Sequence, residues 1–145
     1  MYLLDTNVVS ILDPRRRRES AGLVEWIERN GPVLFLSVAT LLEMQRGILK
    51  LRRNGNNQRA DGLAFLLSGI IDHFGARILA MDNAVALRIA KLDETARAFT
   101  PEMLDLIIGA TAEVHGLLLL SRNVKHFQPM GVKVVDPFVE LPAVG

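Results

Sequence analysis

The chain has no cysteine, which excludes a disulfide scaffold, a thiolate zinc site and a cysteine nucleophile. Aromatic residues are scarce, 6% of the chain with one tryptophan and one tyrosine, so a stacked platform for single-stranded nucleic acid is not expected. Charge nearly cancels: 17 lysines and arginines face 16 acids, for a formal net charge of +1, which argues against a strongly basic DNA-coating protein. The longest uncharged apolar stretch, Gly62 to Ile71, falls far short of the about 20 residues that span a membrane. The opening Met1-Tyr2-Leu3-Leu4-Asp5 has no basic segment and meets an acid at once, so no secretory signal is read and a cytoplasmic location is expected. Phosphate-cradling glycine loops of the P-loop or dinucleotide type are missing as well.

What is present is an ordinary globular composition. Half of the 145 residues are hydrophobic. A chain of that length is expected to form one domain, residues 1–145, and to bury roughly 70% of its unfolded surface.

Short apolar runs alternate with helical patterns. Tyr2–Leu4, Val33–Leu36, Arg77–Ala80, Leu117–Leu120 and Val132–Val135 read as strands. Between them, Val8–Leu12 reads as a short helix capped by Thr6 or Asn7, and Ala21–Arg29 as a longer one. Ser37 opens a long helical pattern running past Leu51, and Leu63–Phe74 and Ala84–Ala98 come after it. A last helix is expected from Pro101 to about Val114, with Thr100 as its cap. Asp13-Pro14 and the run Arg15-Arg16-Arg17-Arg18 read as a loop. Strands joined by helices predict a three-layer α/β/α sandwich around a mostly parallel sheet of about five strands. Such sheets bind ligands beyond the carboxyl ends of their strands, near the point where strand order reverses.

The polar residues at those ends therefore carry the chemistry. Asp5 ends the first strand and Ser37 the second; Glu43 lies on the helix after Ser37, Asp105 lies inside an apolar helix, and Asn123 comes just after the fourth strand. Carboxylates gathered in a low-dielectric cleft repel one another and call for a compensating cation. Oxygen ligands suit Mg²⁺ or Mn²⁺, which polarise phosphoryl oxygens, activate water and steady a leaving oxygen. Metal-dependent phosphodiester hydrolysis is a coherent use of this set. Arg46 and Lys50, three and seven residues after Glu43, share its helical face, and Arg122 precedes Asn123. These bases can hold a phosphate backbone, as can the Arg15–Arg18 run if it is not simply a mobile loop. Gly47 is expected to relieve crowding near Glu43. His73, His115 and His126 lack ligand spacing and read as structural.

Four segments resemble the motifs of PIN domains: Leu3-Leu4-Asp5-Thr6-Asn7, Leu36–Met44 continuing to Gly47, Asp105–Ala112, and Leu119–Phe127. Their order and spacing, over nearly the whole chain, are similar to the VapC-type toxins of bacterial toxin–antitoxin pairs, in the plasmid-stability and FitB-like branch. The resemblance implies a Mg²⁺- or Mn²⁺-dependent ribonuclease with Asp5, Glu43 and Asp105 as its acidic site. It implies Thr6, Asn7 and Ser37 as supporting groups. Implied partners are an RNA substrate, a second copy in a homodimer, and a small DNA-binding antitoxin that obstructs the cleft in a higher assembly; a membrane is not among them.

One departure matters. The fourth motif of the family usually carries an acid at the place of Asn123, or an aspartate three residues later, where this chain has His126. An asparagine carbonyl can still meet a hard cation but brings no charge, so weaker metal binding or a single-metal site is expected. Two alternatives remain. One is a PIN-like module that binds RNA or protein with weak or no catalysis. The other is a phosphatase of the haloacid dehalogenase kind, whose motif needs a second aspartate where Asn7 stands.

Overall fold

The structure is a computed structural model and describes residues 1–143. Five strands are found among them: β1 (Tyr2–Leu4), β2 (Leu34–Ser37), β3 (Ile78–Leu79), β4 (Leu118–Leu120) and β5 (Val134–Val135). Seven α-helices accompany them: α1 (Thr6–Val9), α2 (Ala21–Arg29), α3 (Val38–Arg53), α4 (Asn57–Phe74), α5 (Asn83–Thr95), α6 (Met103–Val114) and α7 (Val124–Phe127). No helix of the described residues is long and apolar enough to cross a membrane.

The strands form one sheet in the order β3-β2-β1-β4-β5, and every pairing is parallel. The expected "mostly parallel" sheet is thus wholly parallel. Leu3 stands opposite Phe35 on one side and Leu119 on the other, which fixes the central register. Successive strand residues point to opposite faces. Leu4, Leu34 and Leu36 accordingly join Trp26, Met44, Ile70 and Phe74 in one core, while Leu3 and Leu119 join Val85, Ile89, Leu106, Ile108 and Phe127 in the other. Two cores on two faces make the three layers. The chain builds outward from β1 to β3 on one side and then crosses to β4 on the other. Strand order therefore reverses between β1 and β4, and Asp5 leaves the sheet there, its N–H bonded to the Leu120 carbonyl at 2.9 Å.

Two contacts set how the outer elements sit on this sheet. Gly109 on α6 lies so close to its neighbours that an added Cβ would stand 3.2 Å from Val132 Cγ2, so its small size sets how deeply α6 beds against the segment leading to β5. The lone tryptophan, Trp26, is buried and satisfies its N–H on the Pro142 carbonyl at 3.2 Å, as a buried indole requires.

Several boundaries differ from the expectations. Helix α4 begins at Asn57, six residues before Leu63, because its first turns are mostly polar and bury only the small Ala60, leaving no apolar periodicity to read. Gly55, at φ 81°, makes the left-handed turn that separates it from α3. Thr100 does not cap α6. Its N–H closes a 3₁₀ turn onto the Arg97 carbonyl at 3.3 Å, its φ is 45°, and the helix starts only at Met103. The first short helix is capped by Asp5, which accepts the Thr6 N–H, and not by Thr6 or Asn7. The arginine run is folded rather than loose. Arg17–Glu19 forms a 3₁₀ turn, Arg16 pairs with Glu19 at 3.1 Å and donates to Ser10 Oγ at 2.6 Å, and Arg17 pairs with Glu28.

Candidate active site

Asp5 is 3% exposed at the point of strand reversal, the most deeply buried of the three acids. Its carboxylate is held from several sides. Oδ1 accepts the Thr6 N–H at 2.7 Å; Oδ2 accepts the Ser121 hydroxyl at 2.6 Å and the Asn7 side-chain amide at 3.4 Å. Ser121, directly after β4, is itself fully buried and accepts the Asn123 N–H at 2.9 Å. Asn7 also accepts the Arg122 N–H at 3.1 Å, so α1 and the turn after β4 are laced together around Asp5.

Glu43 comes from the second turn of α3 and is half-buried. Its Oε1 accepts the Thr6 hydroxyl at 2.8 Å, and that hydroxyl also lies 3.3 Å from Thr40 Oγ1. Asp105 comes from the first turn of α6, half-buried, with His126 Nδ1 at 3.1 Å from its Oδ2. Ser121 does not stand out in the sequence, and His126 does so only as the residue standing where some members of the family carry an aspartate. A serine beside a strand end gives no periodic signal, and His126 lacks a ligand partner at helical spacing; only the fold brings it to Asp105.

The electrostatics tie the three acids together. Burial pushes the Asp5 carboxyl above its ordinary range, against the bonds from Ser121 and Thr6 and the charge of His126. Burial also raises Glu43, opposed by the Thr6 bond and reinforced by the charges of Asp5, Asp105 and Glu102. Asp105 is raised by burial and by Asp5, and lowered in part by His126. Glu43 and Asp105 thus resist ionisation partly because Asp5 is there, while Asp5 resists it through burial, and no lysine or arginine among the described residues pairs with any of the three. A hard divalent cation answers that imbalance, and the donor set is oxygen, as such ions prefer. As oriented, however, no three described histidine, aspartate or glutamate side chains converge closely enough to hold a metal.

The remaining candidates lie around this cluster. Ser37 ends β2, is fully buried and caps α3 by accepting the Ala39 N–H at 3.1 Å; its bond is to the helix, not to an acid. Asn123 is exposed, and its side chain caps nothing on α7. Arg46 and Lys50 are exposed on α3. Arg122 lays its guanidinium over the Phe138 ring, 3.7 Å from the centroid, and faces Glu19 at 3.9 Å. Gly47 has open space around it, with nothing within 4 Å of an added Cβ.

The family model described as PIN domain matches residues 2–130. Among curated proteins, the chain is 31% identical to plasmid stability protein StbB of Pseudomonas syringae pv. tomato and 30% identical to toxin FitB of Neisseria gonorrhoeae, each match covering 95% of this chain and 99% of the relative. It is 26% identical to VapC ribonuclease Y4jK of Sinorhizobium fredii, over 95% of this chain and 98% of that one. The solved structure of FitAcB from Neisseria gonorrhoeae superposes with a TM-score of 0.79 at 31% identity, covering 95% of this chain and 99% of that one.

Proposed function

Because the chain belongs to the PIN domain family, we propose that it is a Mg²⁺- or Mn²⁺-dependent endoribonuclease, the toxin of a cytoplasmic toxin–antitoxin pair. The observation that carries the reading is Asp5, buried at the strand reversal and ionised only against its surroundings, with Glu43 and Asp105 raised beside it. Idle buried acids only cost stability.

In this reading Asp5, Asp105 and Glu43 would hold the ion, with the side-chain carbonyl of Asn123, in the turn after β4, as an uncharged oxygen donor. Glu43 and Asp105, less buried than Asp5, would complete the set. When bound, the ion supplies charge stabilisation at a phosphoryl oxygen and activates water. The chain's own groups fix the geometry: Ser121, Thr6 and Asn7 orient Asp5, Thr6 orients Glu43, and His126 orients Asp105. Arg46 and Lys50, exposed along α3, offer charge to the phosphates flanking the cut. Ser37 acts through the start of α3, which carries Glu43.

The relative named toxin FitB, and the likeness to a solved toxin–antitoxin complex from Klebsiella pneumoniae, support an antitoxin partner. A hollow of about 480 Å³ between the Leu12–Arg15 segment and α4 offers it a seat, with Gly62 and Gly69 opening the α4 face and Phe65 standing 85% exposed at the edge. A homodimer completes the proposed assembly.

Controlled expression in bacteria tests the proposal. Wild type should arrest growth and generate new RNA ends, and Asp5→Asn should do neither. An Asp5→Asn protein as toxic as wild type would refute the mechanism. A second reading, a binding module with little catalysis, draws on the missing acid at Asn123 and on the acids' not converging as oriented; a titration in which neither Mg²⁺ nor Mn²⁺ binds would favour it. The phosphatase alternative loses ground, since Asn7 serves as a bridge between Asp5 and Arg122 in place of a second acid.

A further inference from the structure

Beside the acids lies a second hollow, of about 240 Å³, which the cleavage reading leaves unused. It shares Asp105 and His126 with the candidate site and extends away from them past Phe99, Glu102 and Lys125. Phe99 is 67% exposed, an aromatic ring left in solvent by a chain with few aromatics.

The backbone that holds Phe99 is strained. Thr100 is the only non-glycine among the described residues with positive φ, at 45°, and it is β-branched. That conformation is strained for a β-branched residue and persists only where the surroundings enforce it. Here the 3₁₀ turn of Arg97–Phe99 precedes Thr100, and Pro101, with its fixed φ, comes next. An exposed ring, a strained residue and a hollow adjoining the acids are independent observations that meet at one place.

We propose that this hollow binds a single base of the RNA substrate next to the cut, and that the base is guanine. The proposal rests on the ribonuclease reading. Phe99 supplies a face for stacking, which tolerates any base. The hollow is smaller than the roughly 300–1,000 Å³ of pockets for drug-sized ligands and so suits one flat ring system. Glu102 and Lys125 then choose among bases. A carboxylate accepts from the neighbouring N1–H and N2–H₂ of guanine, and an ammonium donates to its O6. Adenine turns a ring acceptor toward the carboxylate in place of N1–H, and uracil has no amino group.

Two measurements test this together. Cut sites are mapped on a randomised RNA pool with wild type, Phe99→Ala, Phe99→Trp and Glu102→Gln, with Asp5→Asn as the inactive control. Wild type should cut beside guanine. Phe99→Ala should raise KM about tenfold with kcat little changed, Phe99→Trp should restore it, and Glu102→Gln should flatten the base preference without stopping cleavage. Separately, Phe99→Trp fluorescence is titrated with the four nucleoside monophosphates against the Trp26 background of wild type. Quenching led by guanosine monophosphate supports the base site even if no RNA is cut, in which case the ribonuclease reading falls alone. RNA cleavage with unchanged base preference in Phe99→Ala and Glu102→Gln, and no selective quenching, overturns the base site alone. Unchanged cutting by Phe99→Ala with weakened antitoxin binding would make the hollow a slot for protein, and the proposal wrong.

Discussion

The Ser121 hydroxyl donates to Asp5 Oδ2 at 2.6 Å, joining the ends of β1 and β4 across 116 residues of sequence. The bond is buried, made to a carboxylate, and lies where strand order reverses. Removing a donor to a charged acceptor costs about 1.5–3 kcal/mol. Ser121→Ala should therefore leave the fold intact but weaken metal-dependent RNA cleavage by about tenfold or more. The pH dependence should shift as well. Losing that donor raises the Asp5 carboxyl further, so the acid limb of the rate profile should move to higher pH. A variant with wild-type rate and an unmoved acid limb would show that Ser121 does not tune Asp5.

The acid cluster costs stability at neutral pH, and Asp105 exposes that cost. Its folded pKa lies above the unfolded value of 3.8, through burial and the charge of Asp5. Its contribution is thus fully present below pH 3.8 and is lost as pH rises through the folded value. At neutral pH the ionised group is a burden. Asp105→Asn, measured in a chelator, should melt a few degrees higher than wild type at pH 7, the scale on which about one kcal/mol shows in a chain of this size. The gain should vanish in acid, and RNA cleavage should be lost at all pH values. An unchanged melting temperature at pH 7 would mean that the acids do not burden one another.

Asp13 behaves in the opposite sense. Burial pushes its carboxyl up, but Arg59, with Nη2 2.7 Å from Oδ2, and the Arg15 N–H on Oδ1 win and hold it below the usual carboxylate range. The Arg59 contact is off-line for a good hydrogen bond at Oδ2, so the attraction there is mainly of charge. A depressed pKa stabilises the fold above the unfolded value of 3.8 and ceases to as pH falls through the folded value. Asp13→Asn should be less stable than wild type at neutral pH, and the two melting curves should draw together as pH drops below 3.8. A constant gap across that range would rule the ion pair out as the cause.

Phe65, 85% exposed on α4 beside the larger hollow, is the anchor expected for the antitoxin. Phe65→Glu places a charge on that apolar edge without touching the core. The variant should remain folded and toxic but resist neutralisation when antitoxin is co-expressed. Neutralisation as efficient as for wild type would move the contact elsewhere.

The legible part of this molecule was what local pattern controls. Apolar triplets such as Leu118–Leu120 announced strands, and isolated acids among leucines marked Asp5, Glu43 and Asp105 as worth watching. What stayed hidden depends on pairing across distance. Nothing near Ser121 in sequence points to Asp5, and nothing near His126 points to Asp105; strand order alone makes those pairs. Thr100 failed as a cap for a related reason, because the 3₁₀ turn before it set its conformation before the helix began.

Asn123 offers the sharpest test of how charge is matched at the site. It is exposed in the turn after β4, its N–H is tied to Ser121, and its side chain caps nothing on α7. A carboxylate placed there would keep the backbone bond and add a charged oxygen ligand on the Asp5 side of the cleft. Without metal it would also add a like charge beside acids that already resist ionisation. Asn123→Asp should therefore bind Mg²⁺ more tightly by calorimetry, while melting lower than wild type in a chelator and gaining more stability when Mg²⁺ is added. Both changes must appear together. Equal Mg²⁺ affinity in the two proteins would show that the asparagine costs the site nothing, and that the existing acids already supply the charge the ion needs.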